Sequence, residues 1–205
     1  MQDFSLNKLS LNKTALNGEK TSLDTYFRFL PSLELKRDQL LVERGKAARR
    51  SADRCAALNA LLAAVGEELP MLANRGVDLV GLVEVCAVRL GQERLLGIDL
   101  PVLEQIDVRV AKVACLGTPH WVDALAARLQ TAMELSIGRQ VDDERLARLE
   151  RALKKVNQRI NLFDKVLIPQ TRQNVKVIQI ALADADRAAV VRAKLAKHKR
   201  AVQTP

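Results

Sequence analysis

Four sets of residues in this 205-residue chain are of types that catalysis or ligand binding uses. GVDLVGLV (76–83) has two glycines at the spacing of a phosphate-binding loop. Leu82 and Val83, however, stand where such a loop needs Lys and Ser/Thr to hold phosphate and magnesium. His120 precedes Trp121 and His198 lies in a basic tail, and neither has a carboxylate or thiol at ligand spacing. Cys55, Cys86 and Cys115 are far apart and form no CxxC pair, so they read as reduced, buried or half-buried thiols of a cytosolic protein. Asp142-Asp143-Glu144 is a run of carboxylates, but adjacent residues diverge around a helix, so a solvated face or a helix start is expected rather than a metal site. The expectation is no catalytic, cofactor-binding or metal-binding residue, and a chain that is not itself an enzyme.

The elements around these residues are therefore the informative part. Aromatic residues make up 3% of the chain and Lys, Arg, Asp and Glu 28%, with nine glycines and six prolines. Leu, Ala and Val dominate the apolar share, a mix that favours long helices over sandwiches or barrels. No stretch nears the ~20 uncharged apolar residues needed to cross a membrane, and MQDFSLNKLSLNK lacks the basic start and apolar core of a signal peptide. From about Ser5 to Val65, Leu23, Tyr26, Phe27, Leu30, Leu33, Leu40 and Leu41 trace a helical stripe; Asn17-Gly18 and Pro31 weaken it, leaving either frayed first turns or a bend at Pro31. The period then changes. VEVCAVRL (83–90) and QIDVRVAKV (105–113) alternate like strands, with Ile106, Val108 and Val110 on one face. Gly91, Gly97 and Pro101 lie between them, which predicts two or three short strands in a small antiparallel element. Thr118 and Pro119 fit the N-cap and first position of a helix running to about Lys199.

That last helix sets the architecture. Leu146, Leu149, Leu153, Val156, Ile160, Phe163 and Leu167 step 3, 4, 3, 4, 3, 4, the seam of a two-stranded coiled coil. Beyond Pro169 it resumes less cleanly through Ile178, Leu182, Ala185 and Ala189, then Val190 and Leu195. Roughly eighty helical residues at ~1.5 Å each would span about 120 Å, too long for a compact domain to bury. The available partner is the N-terminal helix, returning antiparallel. Each fully buried seam residue is worth about 1.5–3 kcal/mol, so such a pair holds without a globular core. Pro169 would cost about 3 kcal/mol in an ordinary helix interior and bend the axis. The reading is a mainly α protein: an N-terminal helix (1–66), a middle module with a short β-hairpin at one end (67–116), and a C-terminal helix (117–205).

Four stretches also carry a family resemblance. INLFDKVLIP (160–169) resembles the Val-Asn-Ala-Leu-Glu…Ile-Pro signature of the D subunit of V-type and archaeal A-type ATPases, matching at Asn161, Asp164, Ile168 and Pro169. Phe163 stands for the family leucine. Arg159 takes the second of two preceding arginines, and Gln158 departs at the first. SLELKRDQL (32–40) is similar to the family's Leu-Leu-Lys-x-Lys-Arg-Asp-x-Leu, keeping Leu33, Lys36, Arg37, Asp38 and Leu40. GIDLPVLE (97–104) and Gly-Thr-Pro at 117–119 follow in the family's order, while Phe29 and Pro31 depart from it. The resemblance implies the central rotor shaft of a rotary ATPase, with paired terminal helices inside a ring of A and B subunits. It also implies the F subunit along the side and a funnel-shaped C/d subunit at the membrane rotor. Coupling of ATP hydrolysis or synthesis to proton or sodium transport would follow, from the cytoplasmic side and peripheral to the membrane.

Two other readings fit the residues alone. The seam equally supports a coiled-coil adaptor or scaffold unrelated to ATPases. The net charge of +9 supports a basic nucleic-acid-binding hairpin: residues 145–200 hold fifteen Lys/Arg against four Asp/Glu, and 51–144 reverse the balance at eight against fourteen. Against nucleic acid, the basic residues alternate with apolar ones, and no helix-turn-helix or aromatic RNA-binding signature is present.

Overall fold

The computed structural model describes residues 9–73, 79–111 and 119–203. Helix α1 spans Lys13–Glu68 and is followed by a single 3-10 turn, Pro70–Ala73. Strands β1 (Val83–Leu95) and β2 (Ile98–Val110) come next. From Trp121 to Gln203 the chain is helical throughout, as α2 (Trp121–Leu162), one π-helical turn (Phe163–Leu167) and α3 (Ile168–Gln203). The protein is mainly helical with one antiparallel hairpin, as the periodicity predicts.

Local chemistry explains the boundaries. Asn12 caps α1, its Oδ1 accepting the Ala15 backbone N–H at 2.7 Å. The helix thus starts later than the apolar stripe suggests, and it runs unbroken through Asn17-Gly18 and Pro31. The expected N-cap Thr118 lies outside the described residues, as do Cys115 and the 76–78 part of the glycine pair. At the other proline the helix adapts by widening. Proline has no N–H to give the carbonyl four residues back, and its ring crowds that carbonyl. The Ile168 N–H instead reaches the Phe163 carbonyl, five residues back, and the turn before Pro169 becomes π.

The hairpin is longer than expected. β1 and β2 pair from Val83↔Val110 to Leu95↔Ile98, so Gly91 and Pro101 lie inside strands rather than between them. Both strands of a two-stranded sheet are edges, which lets Pro101 do without a ladder N–H. The connection is only Leu96-Gly97, both at positive φ (52° and 79°), as a type I′ turn requires. Single extra residues, Cys86 on β1 and Glu104 on β2, shift the register as bulges.

The chain forms two compact units, one from residues 1–35 and 156–205, the other from 36–155. In the second, the hairpin lies along α2. Its root joins the apolar cluster of Leu69, Leu82, Val83, Trp121, Val122, Leu125 and Ala126, with Val108 packed against it. Its turn reaches Arg145 and Arg148: Arg145 Nη2 donates to Glu93 Oε2 at 2.7 Å, and Arg148 Nη1 to the Asp99 carbonyl at 3.0 Å. The lengths agree, since thirteen strand residues at ~3.3 Å extend about 43 Å and the helix from Trp121 to Arg145 about 36 Å. Trp121, 8% exposed, packs at this root.

Candidate functional site

In a chain of this kind the site is the surface on which its helices meet. In the first unit the pairing is antiparallel. Glu19 Oε2 accepts a long 3.4 Å bond from Asn174 Nδ2, and the Tyr26 ring meets Phe163 edge-on, centroids 5.4 Å apart at 84°. Arg172 stacks its guanidinium 5.2 Å from the Phe27 centroid. Lys13, Leu16 and Asn17 line one groove with Gln179, Leu182, Ala183 and Asp186. α1 therefore begins at the level of Leu182–Asp186. Ile178 is fully buried and Leu182 half-buried, and every residue from Ala183 to Arg200 is exposed. Ile178 and Leu182 carry the weaker seam past Pro169 as far as the described residues of α1 reach.

The second unit has the same polarity. As α1 residues advance, their partners on α2 fall back: Arg44 with Glu150 (3.0 Å), Ser51 with Asp143 (2.6 Å), Arg54 with Asp142 (2.9 Å), Glu68 with Arg128 (2.8 Å). Arg139 Nη1 also points to the Cys55 sulfur at 3.8 Å. Cys55 and the exposed Cys86 are free thiols.

Of the seven heptad residues, Leu149 and Val156 are buried, and Leu146, Leu153, Ile160, Phe163 and Leu167 half-buried. Among the motif residues Leu40 is fully buried and Ile168 nearly so, while Leu33, Lys36 and Arg37 are half-buried. Arg37 turns to its neighbour Asp38, Nη2 to Oδ1 at 2.9 Å. Asp38, Arg159, Asn161, Asp164 and Pro169 are exposed. Gly81 of the GxxxxG stretch takes a positive φ of 76° and leads into buried Leu82 and Val83, so this end of the segment is a core turn. His120 and His198 are exposed.

The carboxylate run is where sequence reasoning went astray. Asp143 and Glu144 are exposed, but Asp142 is only 5% exposed and meets Arg54. Arg145, equally buried, turns to Glu93 instead. A signal was available. Asp142 lies one four-residue step before Leu146 and so continues the seam, while Arg54 follows Leu40 and the buried Ala47 at heptad spacing. Gly138, one turn before Asp142, leaves room for the crossing side chain: a Cβ there would sit 2.6 Å from Arg54 Nη1. Glu144 accepts from Arg148 Nε at 2.8 Å and Arg151 Nη2 at 3.2 Å. The Arg148 bond, with both cationic charges, holds its carboxyl below the usual range against a smaller opposing effect of desolvation.

Long helices with antiparallel apolar contacts and ion pairs within each unit, and a β-hairpin packed along α2, define a mainly helical protein carrying an antiparallel hairpin. The family model for the ATP synthase D subunit matches residues 15–198, and the chain belongs to that family. It is 28% identical over 192 residues to the V-type ATP synthase D subunit of Borreliella burgdorferi, covering 94% of this chain and 95% of that protein. The proteins of the same name from Chlamydia muridarum and Chlamydia caviae are each 30% identical, again over 94% of this chain and 96% and 93% of theirs. No helix among the described residues is long and apolar enough to cross a membrane.

Proposed function

We infer that this chain is the central-stalk rotor component of a V/A-type rotary ATPase, a non-catalytic part that links ATP turnover to ion transport. The observation that carries this reading is the family match across 15–198, which includes both long helices and the hairpin between them. The physics agrees with it. Two hydrogen-bonded helical backbones joined by side-chain contacts resist twisting better than one, and ion pairs at several levels oppose sliding. Leu146, Leu149, Leu153, Val156, Ile160, Phe163 and Leu167 act as the seam. Residues 1–66 and 117–205 serve as shaft helices, with 67–116 as the middle module.

Its partners, on this reading, are the A and B subunits around the helices, the F subunit at the side and the funnel-shaped C/d subunit at the membrane rotor. The basic residues of α3, Arg192, Lys194, Lys197 and Lys199, are exposed and available to acidic surfaces of the ring. The chain is peripheral to the membrane through this assembly. The test is reconstitution of the complex with and without this chain. ATP-driven ion uptake into vesicles should need it; full uptake in its absence would sink the reading. The purified chain should show no calorimetric ATP binding at micromolar nucleotide. Its affinity for DNA should be negligible at physiological salt, whereas tight binding that falls steeply with salt would favour the nucleic-acid reading.

A further inference from the structure

We propose that the Arg54–Asp142 pair is a register key: it selects the one heptad alignment in which α1 and α2 of the 36–155 unit can pair. The need for a key follows from the sequence. The seam residues are largely Leu, Val and Ala at seven-residue spacing, so sliding α1 by one heptad again places apolar residues against apolar residues. Exposed ion pairs discriminate poorly. Sliding one way carries Arg44 from Glu150 to Asp143, another carboxylate, and pairs half open to water are weak in any case.

Asp142 responds differently. Its side chain is 7% exposed, so its charge needs a partner wherever α1 sits. In the native alignment it has Arg54. One heptad away it would face Ala47 or Leu61, and Arg54 would face Leu149 or Leu135. Gly138 adds shape to charge, since it is the gap over which Arg54 crosses to reach the carboxylate. The pair itself is not an optimised source of stability. Arg54 Nη1 lies 2.9 Å from Asp142 Oδ2, but off the line a hydrogen bond needs. Only the carboxylate is buried, since the Arg54 side chain is 34% exposed. A pair of that quality contributes discrimination through Asp142, because well-packed apolar residues in its place often hold the fold as well or better. Arg145 with Glu93, and Arg148 with the Asp99 carbonyl, set the hairpin against α2, which leaves α1 as the element to be aligned.

Cross-linking reads the alignment directly. The full chain is freed of its own thiols by Cys55→Ala, Cys86→Ser and Cys115→Ser, and Ser51→Cys is paired in turn with Asp143→Cys, Ser136→Cys or Glu150→Cys. The first pair reports the native register, in which Ser51 Oγ and Asp143 Oδ1 are 2.6 Å apart. The other two report slips of one heptad either way. With Arg54 and Asp142 intact, mild oxidation should link the 51/143 pair at least tenfold faster than either slipped pair. In Arg54→Leu/Asp142→Leu the slipped pairs should rise to within a few fold of the native one, with helicity and melting temperature kept or raised. Asp142→Leu alone, which leaves Arg54 facing apolar residues, should melt lower than the double variant. Continued selectivity of the double variant for 51/143 overturns the proposal. So does its unfolding or a clear drop in melting temperature, which would make the pair a source of stability instead.

Discussion

Single residues here divide by burial more than by type. Leu149 and Leu162 both lie on α2, yet Leu149 is fully buried and Leu162 is 47% exposed. Leu149→Ala should cost about 2–5 kcal/mol, as for a filled core position, and Leu162→Ala under about 0.5 kcal/mol. Urea unfolding followed by circular dichroism separates them, and equal losses would contradict the seam. Glu144 supplies a pH expectation of known sign. Its folded pKa is depressed, mainly by the Arg148 hydrogen bond, so any stabilisation is present above the unfolded carboxylate value and fades as pH falls through the lower folded value. The pair is open to solvent, so Glu144→Gln should leave the melting curve at neutral pH nearly unchanged. The burial of Leu149 was legible because apolar spacing is a one-dimensional signal. Asp142 was not, because its charge type argues for solvent and only its place one step before Leu146 argues for the interior.

Elements carried a different mix of signal and silence. Long amphipathic periods made the terminal helices readable. The hairpin's length was hidden by Gly91 and Pro101, which read as breakers although two-stranded sheets accommodate both. The π turn was hidden too. Pro169 announces a missing hydrogen bond, but whether a helix answers by bending or by widening depends on what packs beside it. The hairpin turn retains a correctable cost. Leu96 sits at φ 52°, a region unfavourable to a branched side chain by about 1–2 kcal/mol, and Gly97 follows it. Leu96→Asn would give the Asn-Gly pair that type I′ turns prefer. The expected gain is about 1 kcal/mol, read as slower amide exchange through β1 and β2, and faster exchange would contradict the turn assignment.

At the scale of the molecule, the position of the π turn has a mechanical consequence. Phe163 opens that turn and gives its carbonyl to Ile168, while its ring rests edge-on against Tyr26 of α1. A π turn gives up the regular four-residue spacing of the ladder, so lateral support there depends more on the neighbouring helix than elsewhere. Removing the ring from this half-buried position should cost about 2 kcal/mol, less than the 3–5 kcal/mol of a fully enclosed phenylalanine. That loss stays local, because Val156 below and Ile168 and Ile178 above remain buried. Phe163→Ala should therefore leave the chain helical and able to join its complex. In a rotor the defect would appear under load: the complex should hydrolyse ATP at a near-normal rate but move fewer ions per ATP, as the helix yields at the widened turn. Lys154→Glu, on the exposed side of α2, is the matched control and should leave the ratio unchanged. Ion uptake and phosphate release measured in the same vesicles give that ratio. A wild-type ratio for Phe163→Ala with assembly intact would show that this turn bears no special load. Failure to assemble at all would show instead that the Phe163 face meets another component of the complex.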